Sequence, residues 1–373
     1  MILIEHGPYG QPALFKGAQQ LLTARTADEV MPVLAAAEAA RRRGLWVAGM
    51  LAYEAGYALE PRLLPLMPQD RPGPLVQLGV YEGPAAVAPM RADGRLGPIR
   101  PALTQAAYDR AIGRVLDYIA AGDCYQINLT FPLQTRLETG TAAGLYAALR
   151  DRQAVGFGAL VDLGEGPVVV SRSPELFFRI RDGLIESRPM KGTRPRSTDP
   201  VEDARLAQAL QSSPKDRAEN LMIVDLLRND IARISAVGSV RVPELYAIDS
   251  FATVHQMSST IQGRLLPGVG LPEVMQALFP CGSITGAPKI RAMQIIREIE
   301  AQPRGAYCGA IGWAAPDGDQ EWSVAIRTLS LSADGSVVFN VGGGVVSDST
   351  PQGEWEEALW KAAFAGPMNP VLS

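Results

Sequence analysis

Two sets of carboxylates at helical spacing are the first candidates for chemistry. Asp216 and Glu219, in Asp-Arg-Ala-Glu-Asn-Leu-Met-Ile-Val-Asp, stand three residues apart and share a helix face near its start. Glu354, Glu357 and Lys361 share a face of a final helix in the same way. Two such helices facing each other could clamp a hard divalent cation, and oxygen ligands with waters left in the shell suit Mg²⁺. Taken singly, each reads as an acidic first turn offsetting a helix dipole, with Glu357–Lys361 as a surface pair. Glu175, in Ser-Pro-Glu-Leu-Phe-Phe, lies at a turn-to-strand junction beside apolar residues, which can raise a carboxyl toward the range of a general acid. Arg188-Pro-Met-Lys-Gly-Thr-Arg-Pro-Arg, centred on Lys191, is by composition a basic, proline-broken loop. Arg327 on an otherwise apolar strand needs a partner, either a ligand carboxylate or an internal acid. Gly342-Gly343-Gly344 interrupts a Val/Phe strand, either for close approach of a ligand or for a bulge. His255, also strand-borne, reads as a hydrogen-bonded core histidine.

The stretch Leu278–Glu300 reads as a loop turned by Gly282 and Gly286 that runs into a helix, with Pro288 in its first turn. Hydroxyls of Ser283 and Thr285 and the free N–H groups of that helix would meet at a point attractive to a carboxylate or phosphate. An ordinary capped helix is the plainer reading.

These residues need a frame. Helices are expected from Asp28 to Arg43, Tyr108 to Ala121, Leu145 to Arg150, Val201 to Leu210 and Lys215 to Ile234, the last with Leu221, Val224, Leu227 and Ile231 as its apolar stripe. A closing helix is expected near Glu354 to Phe364. Strands fall between them in hairpin-like succession, Trp46–Tyr57 and Trp322–Ser332 included. The pattern is α+β: large antiparallel sheets covered by helices. A soft boundary near Pro101 separates an N-terminal region, residues 1–100, from residues 101–373, which carry all the candidate groups above.

With 373 residues and a net charge of −4, the chain has ample core and no basic stripe, so nucleic acid is not an expected partner. Three scattered cysteines give neither a disulfide framework nor a zinc cluster, and two histidines exclude a multi-histidine metal site. No apolar run reaches spanning length and the start lacks a signal-peptide pattern, so no membrane association and a cytoplasmic setting are expected.

In series, Ser-Pro-Glu-Leu-Phe, Met-Lys-Gly-Thr, Glu-Asn-Leu-Met-Ile-Val-Asp-Leu-Leu-Arg-Asn-Asp, Val-His-Gln-Met, Gly-Ser-Ile-Thr-Gly-Ala-Pro-Lys, Ala-Ile-Arg-Thr and Gly-Gly-Gly resemble the motifs of chorismate-utilising enzymes, in that family's order. The resemblance runs from about residue 101 to 365 and implies that family's fold, antiparallel sheets packed as a sandwich with the N-terminal region built in. Pro-Met-Lys-Gly-Thr around Lys191 is similar to the Pro-Ile-Lys-Gly-Thr of the branch that makes 4-amino-4-deoxychorismate for para-aminobenzoate and folate, whereas anthranilate-forming members usually carry alanine at this lysine. The resemblance implies Mg²⁺ held by Glu219 and Glu357, helped through water by Asp216 and Glu354. It implies Arg327 and the backbone of Gly342, Gly343 and Gly344 on a substrate carboxylate, with Thr193, Ser283 and Tyr307 as further contacts. Thr285 and His255 would meet the ring and its 4-hydroxyl. Lys191 would attack C2 while Glu175 acts on the departing hydroxyl. Ammonia would come from a separate glutamine amidotransferase subunit, since no Cys–His pair suggests a glutaminase. Anthranilate formation is the nearest rival, isochorismate or salicylate formation using water the next. A catalytically silent chorismate- or tryptophan-binding subunit is the alternative of another class.

Overall fold

Apolar residues facing both ways along the central strands leave room for helices outside and a second sheet inside, and that is the arrangement found. The structure, a computed structural model, describes residues 1–251 and 254–366. One ten-stranded antiparallel sheet runs in the order Gly286–Ala287, Gln126–Thr139, Ser336–Val345, Thr328–Leu331, Val168–Ser173, Phe157–Val161, Ile2–Ile4, Ala13–Phe15, with two short strands also pairing Gln126–Thr139. The other runs Met190–Pro195, Val254–Arg264, Leu184–Arg188, Leu176–Arg181, Gln320–Val324, Ala310–Ala314, Trp46–Leu51, Val76–Tyr81, Gln20–Ala24, and Arg241–Ser250 also pairs Val254–Arg264. Ile2, Phe15, Met50, Tyr81, Val169 and Trp313 pack between the sheets. Helices cover the outer faces, so the chain is an α+β sandwich. Strands from the first hundred residues belong to both sheets.

Several local expectations are corrected. Trp46–Tyr57 is not one strand; it ends at Leu51 and a short helix, Ala55–Leu59, follows. Leu221 is 48 % exposed, and the buried stripe of its helix, Pro214–Ala232, is Asn220, Ile223, Val224, Leu227 and Ile231. Trp322–Ser332 is broken: Gln320–Val324 lies in one sheet and Thr328–Leu331 in the other. Pro288 is the N-cap of helix Lys289–Ile299 and stands just before its first turn.

The sheets are locked together by a buried cation. Arg304 donates to Glu300 at 2.6 and 2.8 Å, to the Asn128 carbonyl at 2.6 Å and to the Ile284 carbonyl at 3.0 Å. Its guanidinium lies 4.5 Å from the Tyr53 ring centroid. Glu54 accepts the Arg304 and Gly305 N–H groups at 2.7 and 3.1 Å. Removing one partner of a buried pair strands the other charge and costs about 3–5 kcal/mol. Arg304→Met is therefore expected to lower the urea midpoint by that much stability at unchanged slope. Adding Glu300→Gln, which removes the stranded charge yet keeps an acceptor for Thr130, should recover part of the loss.

Candidate active site

Both acid-bearing helices are oriented by what their opposite faces bury. Trp355, Ala358 and Ala362 of helix Pro351–Ala362 are buried, and Trp355 stacks on Phe131 with ring centroids 4.8 Å apart. That turns Glu354, Glu357 and Lys361 toward a cavity of about 920 Å³. The Glu219 helix buries its apolar stripe near strand Val254–Arg264 and presents Asp216 and Glu219 to the same cavity. Ser213 and Thr350 cap the two helices, each followed by proline, so both positive helix ends flank the space.

The remaining groups arrive where the chain changes sheet. Between Val168–Ser173 and Leu176–Arg181 it crosses at Pro174–Glu175; between Gln320–Val324 and Thr328–Leu331 it crosses at Ala325–Arg327. Glu175 and Arg327 are thereby set at the junctions of the sandwich, both facing the cavity. Arg327 holds φ 50°, an uncommon region for a residue with a side chain. Lys191 sits not on a loop but on edge strand Met190–Pro195, where the register against Val254–Arg264 slips between Met190 and Thr193. Gly192 makes that irregularity possible: its φ is +81°, and a Cβ there would stand 2.7 Å from an Asp216 carboxylate oxygen. The bulge re-aims Lys191, whose Nζ donates to the Ser283 carbonyl at 3.3 Å.

Gly342 to Gly344 form a regular strand opposite Thr130, Leu129 and Asn128, so the bulge reading fails. A Cβ on Gly343 would stand 3.0 Å from Glu354 Oε2 and 3.4 Å from Lys361 Nζ; one on Gly344 would stand 3.3 Å from Lys191 Nζ. Side chains here would fill the space between the acids and the amine.

Burial sets the electrostatics. It pushes the Glu175 carboxyl up to about 7, against hydrogen bonding from Ser283 and the attraction of Lys191. Burial lowers the Lys191 amine, opposed by Glu219 and Glu175. Arg188 and Arg194 are not the cause: they pair with Asp249 and Asp216, each with N···O near 3 Å (2.9 and 3.0 Å). Burial raises Glu219 and Glu354, whereas Lys361, 2.7 Å away, holds Glu357 low. Arg327 has no carboxylate within 4.0 Å among the described residues, which removes the internal-partner reading. Its charge faces a cavity large enough for a ligand.

Glu219, Glu357, Glu354 and Asp216 offer hard oxygen atoms to one cavity, as Mg²⁺ requires, but Asp216 is engaged by Arg194 and Glu354 by Ser349 at 2.6 Å. Among the described residues no three acidic, His or Cys side chains converge tightly enough to hold an ion. The four acids are therefore oxygen donors that share one cavity without converging on one point.

Thr193, Ser283 and Tyr307 line the cavity with these groups. Two expected contacts do not. Thr285 is fully buried and its hydroxyl donates to the Cys281 and Gly282 carbonyls. His255 is 2 % exposed, with Nε2 2.9 Å from Asp203 and Nδ1 2.8 Å from Ser250, so both ring nitrogens are taken outside the cavity. The start of the Lys289 helix is likewise used structurally: Lys289 pairs with Asp230 at 2.6 Å.

Known proteins resemble this chain in sequence and in fold. The profile of chorismate binding enzymes aligns with residues 2–366. The chain belongs to that family. Aminodeoxychorismate synthase component 1 of Klebsiella aerogenes is 44 % identical over 262 residues, covering 70 % of this chain and 57 % of the relative. The Escherichia coli protein of that name is 42 % identical over 259 residues, 69 % and 56 %. Anthranilate synthase component 1 of Streptomyces coelicolor is 41 % identical over 260 residues, 70 % and 50 %. The matches thus span only 50–57 % of the length of these curated relatives. In fold the chain is similar to anthranilate synthase component I from Streptococcus pneumoniae (TM-score 0.81, 24 % identity, 95 % of this chain, 91 % of that). It is also similar to the menaquinone-specific isochorismate synthase from Escherichia coli (0.76, 17 %, 97 % and 86 %).

Against the family's motifs, two cavity groups carried no usable signal of their own. Lys361, read as half of a surface pair, also donates to the Gly342 carbonyl at 2.9 Å and so braces the glycine strand. Asn128 lines the cavity from the strand opposite Gly344, and nothing in Gln-Ile-Asn-Leu-Thr marks it as polar by design.

Proposed function

We propose that this chorismate binding enzyme aminates chorismate at C4, giving 4-amino-4-deoxychorismate on the way to para-aminobenzoate and folate. The observation that carries the reading is Lys191, an amine lowered by burial, sharing one cavity with Glu175, a carboxyl raised to about 7. A neutral amine is a nucleophile, and a protonated carboxyl can give its proton to a departing hydroxide, which is otherwise a poor leaving group. Arg327 and the Gly342–Gly344 backbone would take the enolpyruvyl carboxylate, with Thr193, Ser283 and Tyr307 along the ring. Glu219 and Glu357 would hold Mg²⁺, with Asp216 and Glu354 at one water's remove. When bound, the ion supplies positive charge opposite the ring carboxylate. Lys191 adds to C2 as both ring double bonds shift and the C4–O bond breaks, and the Glu175 proton leaves with the hydroxide as water. Ammonia then adds at C4 as both double bonds shift back, the C2–N bond breaks and Lys191 returns as the free amine.

The ammonia would come from a separate glutamine amidotransferase subunit in the cytoplasm. Cys124, Cys281 and Cys308 are free and buried, and burial raises all three thiols, the opposite of what a glutaminase nucleophile needs. No helix among the described residues is long and apolar enough to cross a membrane.

The test is purified protein with chorismate, MgCl₂ and ammonium, with products resolved by mass and fluorescence. Aminodeoxychorismate is the expected product; fluorescent anthranilate would move the reading to the C2 branch, and no turnover would remove it. Glu219→Gln is expected to raise the Mg²⁺ concentration for half-maximal rate roughly tenfold or more, because a carboxylate ligand becomes an amide.

A further inference from the structure

Near Lys191 lie four buried polar atoms with no hydrogen-bond partner among the described residues. Gln126 is fully buried, and neither its Oε1 nor its Nε2 has a hydrogen-bond partner among the described residues. The same holds for Asn128 Nδ2, on a side chain 7 % exposed, and for Glu175 Oε1, on one 5 % exposed. Buried polar groups are almost always satisfied, and each orphan costs about 1–3 kcal/mol. Gln126 and Asn128 alternate onto one face of strand Gln126–Thr139, and Asn128 pairs with Gly344 across the sheet. The point above Gly344 where a Cβ would stand is 2.7 Å from Gln126 Nε2 and 3.3 Å from Lys191 Nζ. The orphaned amide and the amine therefore border the same small space, which exists because residue 344 is glycine.

We infer that Gln126 and Asn128, with Glu175, form the subsite that holds the nitrogen nucleophile of the proposed reaction: ammonia, a neutral molecule of water's size that both donates and accepts hydrogen bonds. This rests on the amination reading above. Gln126 Oε1 and ionised Glu175 accept N–H bonds, while the amide N–H groups repel an ammonium ion's positive hydrogens and so favour the neutral form. The balance is complete within the site. After Glu175 has given its proton to the departing hydroxide it is a carboxylate. As ammonia's lone pair bonds C4 and the C2–N bond to Lys191 breaks, the new C4 ammonium returns one proton to Glu175. Chorismate and ammonia thus become aminodeoxychorismate and water, with both side chains restored.

The experiment is the ammonium dependence of Gln126→Met, a substitution close to glutamine in length that leaves no orphan. At fixed pH and saturating chorismate, KM for ammonia is expected to rise roughly tenfold, the loss of one hydrogen bond to a buried ligand. KM for chorismate and chorismate binding read by tryptophan fluorescence should stay within twofold. Unchanged ammonia dependence would show that the orphans meet only an ordered water and would overturn the subsite; so would loss of chorismate binding in equal measure. Asn128→Leu, measured in the same way, covers the case in which Gln126→Met fails to fold. Wild-type protein that gives no aminated product at any ammonium concentration would remove the parent reading instead, so the two failures are distinct.

Discussion

Lys191→Ala is expected to lower amination of chorismate by a factor on the order of 10⁴ while leaving the fold intact. The side chain stands on an edge strand, in a bulge, and its one hydrogen bond is a 3.3 Å contact to the Ser283 carbonyl. Its removal leaves no packed core cavity, Glu357 keeps Lys361, and Glu219 and Glu175, which lose an attracting charge, can each take up a proton. Stability by urea denaturation should shift by no more than about 0.5 kcal/mol. Binding is expected to survive in weakened form, because Arg327 and Lys361 still supply positive charge. Incubating wild type with chorismate and no ammonia should leave a mass increase on the Lys191 peptide that the variant lacks. Amination at an undiminished rate by Lys191→Ala would take the amine out of the mechanism.

What the sequence carried, and what it could not, divides along a physical line. Spacing along one element was legible. The i, i+3 carboxylates of both helices share faces as expected, because helix geometry fixes them locally. The glycine run was legible as an anomaly, since three glycines in a strand weaken it without a compensating role. What failed depends on which sheet a strand joins. Trp322–Ser332 has the apolar composition of one long strand, yet it changes sheet at Ala325–Arg327, and that change is what aims Arg327 into the cavity. The Lys191 segment has a loop's composition, with two prolines and four cations, yet pairing with Val254–Arg264 makes it an edge strand. Proline tolerates edges, so composition alone could not separate the two. His255 and Thr285 went astray for a different reason. Both lie next to cavity residues in sequence, but strand alternation and the turn at Gly282 send their side chains away from it. The Arg304 lock had no signal at all, because its partners come from four separate segments.

Burial explains why the site's two titrating groups diverge. A carboxyl is neutral when protonated and an amine when deprotonated, so one dry environment raises Glu175 and lowers Lys191. The same exclusion of water thus favours the neutral form of both groups. Lys361 adds to the lowering of Lys191, while the nearby carboxylates limit it.

Glu175→Gln should therefore separate the acid from everything else. The amide still donates a hydrogen bond but cannot release a proton, so kcat should fall by about 10²–10⁴. The pH profile carries the sharper test. Glu175 is protonated below about 7 and ionised above it, so at fixed free ammonia the ratio of wild-type to Glu175→Gln kcat/KM for chorismate should fall tenfold per pH unit above about 7. The variant alone should show only the rise due to deprotonation of Lys191. Stability should show the same group with a definite sign. The folded value near 7 exceeds the ordinary 4.5, so the folded state binds the extra proton between those limits and wild type gains stability as pH falls across that window. Above pH 7 the ionised carboxylate is a cost, so Glu175→Gln should be the more stable protein at pH 8 and lose that advantage by pH 4. A decline in kcat/KM near pH 7 that persists in Glu175→Gln would assign the proton to another group.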